Sequence, residues 1–272
     1  VTADDLGYSS HRDAAIFDLF EHGKVSGASL IVNGPSTEVA VKRALHIGLP
    51  LGLHINLTEG IPLTPCTYLK EEGIMPYKNK FRALAKQNAK GFREDVFAEV
   101  AAQLKKFETL TGYPATHVDG HQHVHVAPNV PSLLVPLFKS KGVRSVRIPE
   151  EWVEDYEWLS PELRLHYYMR YVDAVASRVV YGTAGLRMND CTVAMAMSGT
   201  AMTLDRLHKC LAGKKGVVEI LTHPGAPALF PCNNETFGDP FDTDAGRVHE
   251  WKILKDFNFG SSLKSWNDLN RI

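Results

Sequence analysis

Short apolar runs rich in β-branched residues alternate with stretches of helical spacing along most of the 272 residues. Residues 28–33 read as a strand, and residues 35–46, with Val39, Ala40 and Ala44 at helical spacing, read as the helix that follows it. Residues 51–57 alternate as a strand does, and a long polar, lysine-rich stretch separates them from an amphipathic helix around 96–107. Further strand-like runs occupy 116–126, 143–148, 192–197, 217–222 and 262–266, with helical patterns at 131–141 and 203–212. Strands that alternate with helices pair in parallel through crossover connections, which predicts an α/β fold: a closed β/α barrel or an open doubly wound sheet.

The polar positions decide between the two. Asp4-Asp5, His54, His121-Gln122-His123 and Thr222-His223 all fall at or near the carboxyl ends of predicted strands, where β/α proteins collect their chemistry. Four strands feeding one mouth favour a distorted (β/α) TIM-like barrel over a crevice. No repeat, low-complexity tract or linker interrupts residues 1–272, so one domain is expected. Segments 61–91 and 150–187 read as long loops that wall an active site. The chain opens at Val1 in what reads as the end of a strand, so part of the first strand is expected to be missing.

Composition narrows the function. With 44% hydrophobic and 22% charged residues the chain can bury a full core, and a net charge of -1 provides no field to draw nucleic acid or an anionic membrane. No apolar run approaches the ~20 residues of a membrane span, and the start lacks a basic segment followed by an apolar one. The expected location is therefore cytoplasmic. Cys66, Cys191, Cys210 and Cys232 form no C-x-x-C pair and read as free thiols.

Two adjacent carboxylates, Asp4 and Asp5, at the end of a buried strand need positive charge beside them, which a metal ion supplies; a turn or helix cap is the plainer reading. His54 lies among apolar neighbours and, alone, is a hydrogen-bonded core histidine. The strongest signal is residues 117–125, where His117, Asp119, His121, His123 and His125 occupy every second position. Strict strand alternation would place all five on one face, with Gly120 a point where the chain can turn. Alternation leaves open whether His121, His123 or His125 is a metal ligand. His223, before Pro224-Gly225, points at the barrel mouth or lies on the surface. Arg147, near the end of its strand, would orient Asp4, pair with a substrate oxygen or sit in a surface salt bridge.

In order and approximate spacing, Ala3-Asp4-Asp5-Leu6-Gly7, the 25–33 segment, Gly52-Leu53-His54, the 117–125 cluster and Thr222-His223-Pro224 resemble the YdjC-like carbohydrate deacetylases, also called chitooligosaccharide deacetylases. The resemblance runs from residue 1 to about 266 and is carried mainly by the motif around His121. Leu6 stands where that family usually has Phe, and Ser265-Trp266-Asn267 departs from its usual final strand. The resemblance implies one divalent cation held by Asp5, His54 and His121, with Asp4 as general base and His223 as proton donor to the leaving amine. Magnesium is the family's usual metal, while the mixed donor set also admits Zn²⁺, Mn²⁺ or Co²⁺. His123, His125, Arg147 and Trp152 are then expected on the substrate side, and the substrate is an N-acetylated sugar or short oligosaccharide. Trp152, Tyr156, Trp158, Phe237 and Phe241 are candidates for stacking on pyranose faces. A homodimer is compatible with this picture. Competing readings are another metal-dependent amidohydrolase or sugar isomerase, or a binding barrel that keeps the ligands without turnover.

Overall fold

The structure is a computed structural model that describes residues 1–226, 240–260 and 263–271. Strands β1 (Thr2–Leu6), β2 (Gly27–Leu30), β3 (Leu51–Ile55), β4 (His117–Gly120), β5 (Ser145–Val146), β6 (Cys191–Val193) and β7 (Val218–Thr222) form one sheet of order β5-β4-β3-β2-β1-β7-β6. Every pairing is parallel. Leu6, Leu30, Leu53, Val118 and Val146 are fully buried, as expected when crossover helices cover a parallel sheet. The helices are α1 (Ser10–Glu21), α2 (Thr37–Ile47), α3 (Lys78–Gln87), α4 (Lys90–Thr111), α5 (Val130–Lys141), α6 (Pro161–Thr183), α7 (Leu204–Leu211), α8 (Pro240–Thr243), α9 (Ala245–Asp256) and α10 (Trp266–Leu269).

The expected barrel is realised as a seven-stranded curled half-barrel. Among the described residues no ladder joins β5 to β6: a single parallel bridge between Ser145 and Arg187 crosses the gap. Asn189 completes the crossing, accepting from the Ile148 N–H at 2.7 Å and donating to the Ile148 carbonyl at 2.9 Å. The eighth strand expected at 262–266 does not form within 263–271; Ser265 caps the short helix α10 instead. Trp266 stacks on His117 at 4.2 Å and donates to Glu219 Oε1 at 3.1 Å, sealing the floor of the half-barrel with an aromatic ring in place of a strand.

Two sequence expectations change. The alternating histidines do not continue one strand, because β4 stops at Gly120 and residues His121–Val126 form a 3₁₀ turn in which Gln122 and His123 have left-handed backbone (φ 50° and 58°). Segment 150–187 is not a loop but carries the 23-residue α6, announced by Ser160 at its N-cap and Pro161 at its first position. Segment 61–91 likewise contains α3.

His117 faces the floor, its Nδ1 3.0 Å from Ser145 Oγ. Burial pushes its pKa down to about 4, with Arg147 adding to the fall and Glu219 and Asp119 opposing it. The unfolded chain takes up this proton near 6.5 and the folded one only near 4. Stability from the neutral ring is therefore present above 6.5 and lost as pH falls toward 4. Thermal melts at pH 7 and pH 4 should show a smaller acid-induced loss for His117→Gln than for the unsubstituted protein. The expected difference is about 1–3 kcal/mol.

Candidate active site

Three features of the backbone assemble the site. The register of β1 on β2 slips between Ala3 and Leu6, and Asp5 lies in the left-handed region at φ 66°. In a regular strand the adjacent Asp4 and Asp5 would face opposite sides; the irregularity re-aims them so that both carboxylates enter the mouth. Gly7 then turns at φ 90°, where an added Cβ would lie 2.8 Å from the Ile31 carbonyl, so only glycine fits. The 3₁₀ turn after Gly120 carries His121 across to them.

Asp5 is the meeting point. Its Oδ1 lies 2.7 Å from His121 Nδ1 and 3.1 Å from His54 Nε2, and its Oδ2 lies 3.0 Å from Arg12 Nη2. All four side chains are buried. Each imidazole is held from its far side: His54 Nδ1 is 2.6 Å from Asp119 Oδ1, and His121 Nε2 is 3.3 Å from Glu59 Oε2. Glu59 is itself fixed by Tyr8 Oη at 2.8 Å and Gln122 Nε2 at 2.6 Å. Asp119 also accepts from Ser29.

Beneath this cluster Arg147 is fully buried among carboxylates. Its Nη1 and Nη2 grip Asp4 at 2.6 and 2.8 Å, and Nη2 also reaches Asp119 and Glu219 Oε1, each at 2.9 Å. Asp4 Oδ2 lies 3.9 Å from His223 Nε2. Burial raises the Asp4 pKa to about 6, outweighing the downward pull of Arg147 and His54. Burial also holds His223 well below the ordinary value, an effect Arg247 and Arg12 reinforce against Asp5.

Asp5, His54 and His121 offer one donor each, all within 4.8 Å of one another. Separations near 3 Å are those of neighbouring ligands around an ion with bonds of about 2.1 Å. The charge balance fits as well. Burial pushes His54 and His121 down, yet their carboxylate neighbours, Asp119 and Asp5 for His54, Asp5 and Glu59 for His121, lift them to about 10 and about 9. The buried carboxylates around the two imidazoles thus favour positive charge, which a divalent ion would also supply. The Asp119 bond to His54 is the kind of outer partner that orients a ligating imidazole. His117, Asp119 and Glu219 also lie close together, but there the Arg147 guanidinium already provides the cation.

The remaining expected residues divide. His123 is half-buried at the turn beside His121. His125 and Arg147 were expected on the substrate side, but both are fully buried and occupied: His125 Nε2 bonds the Arg147 carbonyl at 2.8 Å, and Arg147 serves Asp4. Trp152 packs edge-on against Tyr171 of α6 at 5.3 Å. Tyr156 and Trp158 stack on each other at 4.4 Å, with Tyr156 buried, so neither presents a free face on the Tyr156 side to a sugar. Phe241 does stand at the mouth, edge-on to His223 at 5.5 Å and over Arg247 at 3.9 Å. Phe237 and Cys232 lie outside the described residues. Sequence reasoning missed Glu59, Glu219, Arg12 and Asp242. Only Glu219 carried a signal, as a charge inside an apolar strand; Asp242, on α8, joins Ser9 at 2.9 Å and His11 at 3.3 Å only through tertiary folding.

A cavity of about 630 Å³ opens beside Glu59 and is lined by Thr58, Ile74, Met75, Tyr77 and Pro240, among others. Segment 61–91 thus does wall the space next to the cluster.

Fold and cluster together define a parallel α/β protein with a buried carboxylate and imidazole seat suited to a divalent ion. The chain belongs to the YdjC-like protein family, whose model matches residues 1–265. It is 36% identical to a carbohydrate deacetylase of Mus musculus, over 98% of this chain and 89% of the relative. It is also 33% identical to a chitooligosaccharide deacetylase of Serratia marcescens, over 53% of this chain and 56% of that one. A crystal structure from Enterococcus faecalis V583 shares the fold at TM-score 0.64 and 20% identity, covering 93% of this chain and 88% of the other.

The buried Arg147 yields a stability test. Arg147→Leu leaves Asp4, Asp119 and Glu219 without their shared cation and should cost about 3–5 kcal/mol in urea denaturation. Lys209→Ala, which removes the exposed partner of Glu157 at 3.6 Å, should cost under about 1 kcal/mol.

Proposed function

We propose that the protein is a metal-dependent deacetylase of N-acetylated sugars or short oligosaccharides. The observation that carries this reading is the convergence of Asp5, His54 and His121 on one point, with a second carboxylate, Asp4, and a second imidazole, His223, beside it. The deacetylase names of the relatives support the reaction class. A bound divalent ion, magnesium or one of Zn²⁺, Mn²⁺ and Co²⁺, would polarise the acetamide carbonyl and make a water more acidic.

The chain's own residues then divide the proton work. Asp4, with a pKa near 6 and both oxygens aligned by Arg147, accepts the proton of the attacking water. His223, whose Nε2 lies 3.9 Å from Asp4 Oδ2, stands where it can donate a proton to the departing amine as the C–N bond breaks. Products are acetate and the free amino sugar. The 630 Å³ cavity has room for a sugar unit next to the cluster, and Tyr77, exposed on its wall, offers a ring face to a pyranose. Phe241 stands edge-on to His223 at 5.5 Å on the other side of the cluster.

The test is acetate release from N-acetylglucosamine, its dimer and trimer, and N-acetylated amino acids at matched concentration, with each metal and with chelator. Turnover of the sugars that chelator abolishes is expected. Turnover confined to the amino acids would sink the carbohydrate assignment, and none with any metal would favour a binding protein. Asp4→Asn should keep metal content near normal while slowing turnover about 10²-fold or more. Near-normal acetate release by that variant would remove Asp4 from the mechanism.

A further inference from the structure

His223 differs from the other imidazoles of the site in how it is held. His54 and His121 are fixed through their ring nitrogens by Asp119, Asp5 and Glu59. The His223 ring has no such tether. Its Nδ1 is buried without a hydrogen-bond partner among the described residues, and its Nε2 lies 3.9 Å from Asp4 Oδ2, beyond hydrogen-bond reach. The main chain around it is bound instead. The His223 N–H donates to Glu250 Oε2 at 2.7 Å, and the His223 carbonyl accepts from Arg247 Nη1 at 2.7 Å. Pro224 has no N–H to place, the Gly225 N–H donates to the Arg247 carbonyl at 3.0 Å, and the Ala226 N–H donates to the His11 carbonyl at 2.9 Å. Arg247 and Glu250 lie one turn apart on α9, both buried and 3.0 Å from each other.

We infer that Arg247 and Glu250 are positioning residues that set where the His223 imidazole stands, acting through its backbone and leaving both ring nitrogens free to exchange protons. The inference rests on the proposed role of His223 as proton donor. A buried ion pair stabilises a fold no better than apolar residues of the same size, so docking α9 does not by itself call for this one. Its geometry is aimed at His223. Glu250 Oε1 is taken up by Ser198 Oγ at 2.8 Å, by the Gly199 N–H and by Arg247, which turns Oε2 to the His223 N–H. The Arg247 guanidinium also lies 3.9 Å from the centre of the Phe241 ring, whose edge-on contact with the imidazole at 5.5 Å limits its rotation. The packing is close enough to transmit a shift. A Cβ on Gly225 would lie 2.8 Å from Arg247 Cβ, and one on Gly246 would lie 2.7 Å from Gly199 Cα, so the start of α9 is seated directly on the segment that carries His223. A proton donor gains from this arrangement, because a displacement of about 1 Å at a reacting group costs on the order of 10²-fold in rate.

The test combines kinetics with histidine resonances. Glu250→Gln keeps the size of the side chain, but with Oε1 facing Arg247, Gly199 and Ser198 its amide NH₂ meets the His223 N–H donor to donor and breaks that bond. In the acetate-release assay it should lower kcat about 10- to 100-fold with KM within about 2-fold. In a His223→Gln background the same change should add less than about 2-fold, whereas an independent structural defect would multiply. Gly225→Ala, which keeps every charge and pushes Arg247 away, should reproduce the loss in kcat. In protein labelled with ¹⁵N-histidine, both variants should move the His223 ring signals and leave those of His46, exposed on α2, in place. Unmoved His223 signals in both variants overturn the inference, as do losses that multiply in full in the double variant. Near-normal turnover by His223→Gln alone is a different failure: it removes His223 as the proton donor, and the inference with it.

Discussion

The Arg147 guanidinium, sealed among Asp4, Asp119 and Glu219, is the interaction on which the rest of the site depends. Its carboxylate partners come from three strands, β1, β4 and β7, and it leaves the end of a fourth, β5. A buried charge is tolerable only with partners of opposite sign, and the partners are tolerable only with it. This mutual requirement sets the relative positions of the strands at the mouth. It also holds Asp4 by both oxygens and, through Asp119, sets the orientation of His54.

One layer above, the charges do not close. Asp5 and Glu59 add carboxylates, with Arg12 the adjacent permanent cation, and the deficit appears as the raised affinity of His54 and His121 for protons. A seat that captures two protons against the cost of burial is one prepared for positive charge. The side chains that hold the imidazoles from behind are packed by Ser29, Tyr8 and Gln122, so the donor atoms are arranged before any ligand arrives.

The same economy of partners accounts for α6. Its charged side chains are drawn inward by Glu150 and Arg82, and what remains outside is apolar. The helix is legible in 150–187 all the same: Leu165, Tyr168, Val172, Val175 and Val179 keep helical spacing whichever way they face, and Ser160-Pro161 mark the start, so the loop expected there passed over a local signal.

The sequence by itself determined the α/β class, most of the strands and the residue types of the site. Asp4-Asp5, His54, the 117–125 run and His223 could be named because charged and imidazole groups at the ends of apolar runs need a common partner. It did not determine which histidines share a face. That depended on left-handed backbone at Gln122 and His123, which turns His121 toward Asp5 and sends His125 back to the Arg147 carbonyl. Nor did it place Glu59, Arg12 or Asp242, whose roles come from contacts between distant segments with no local pattern. No eighth strand forms within 263–271, where Trp266 instead stacks on His117 and donates to Glu219, partners that lie far off along the chain. Alternation and spacing report a residue's neighbours along the chain, whereas buried charge is settled by neighbours across it, and only the folded sheet brings those together.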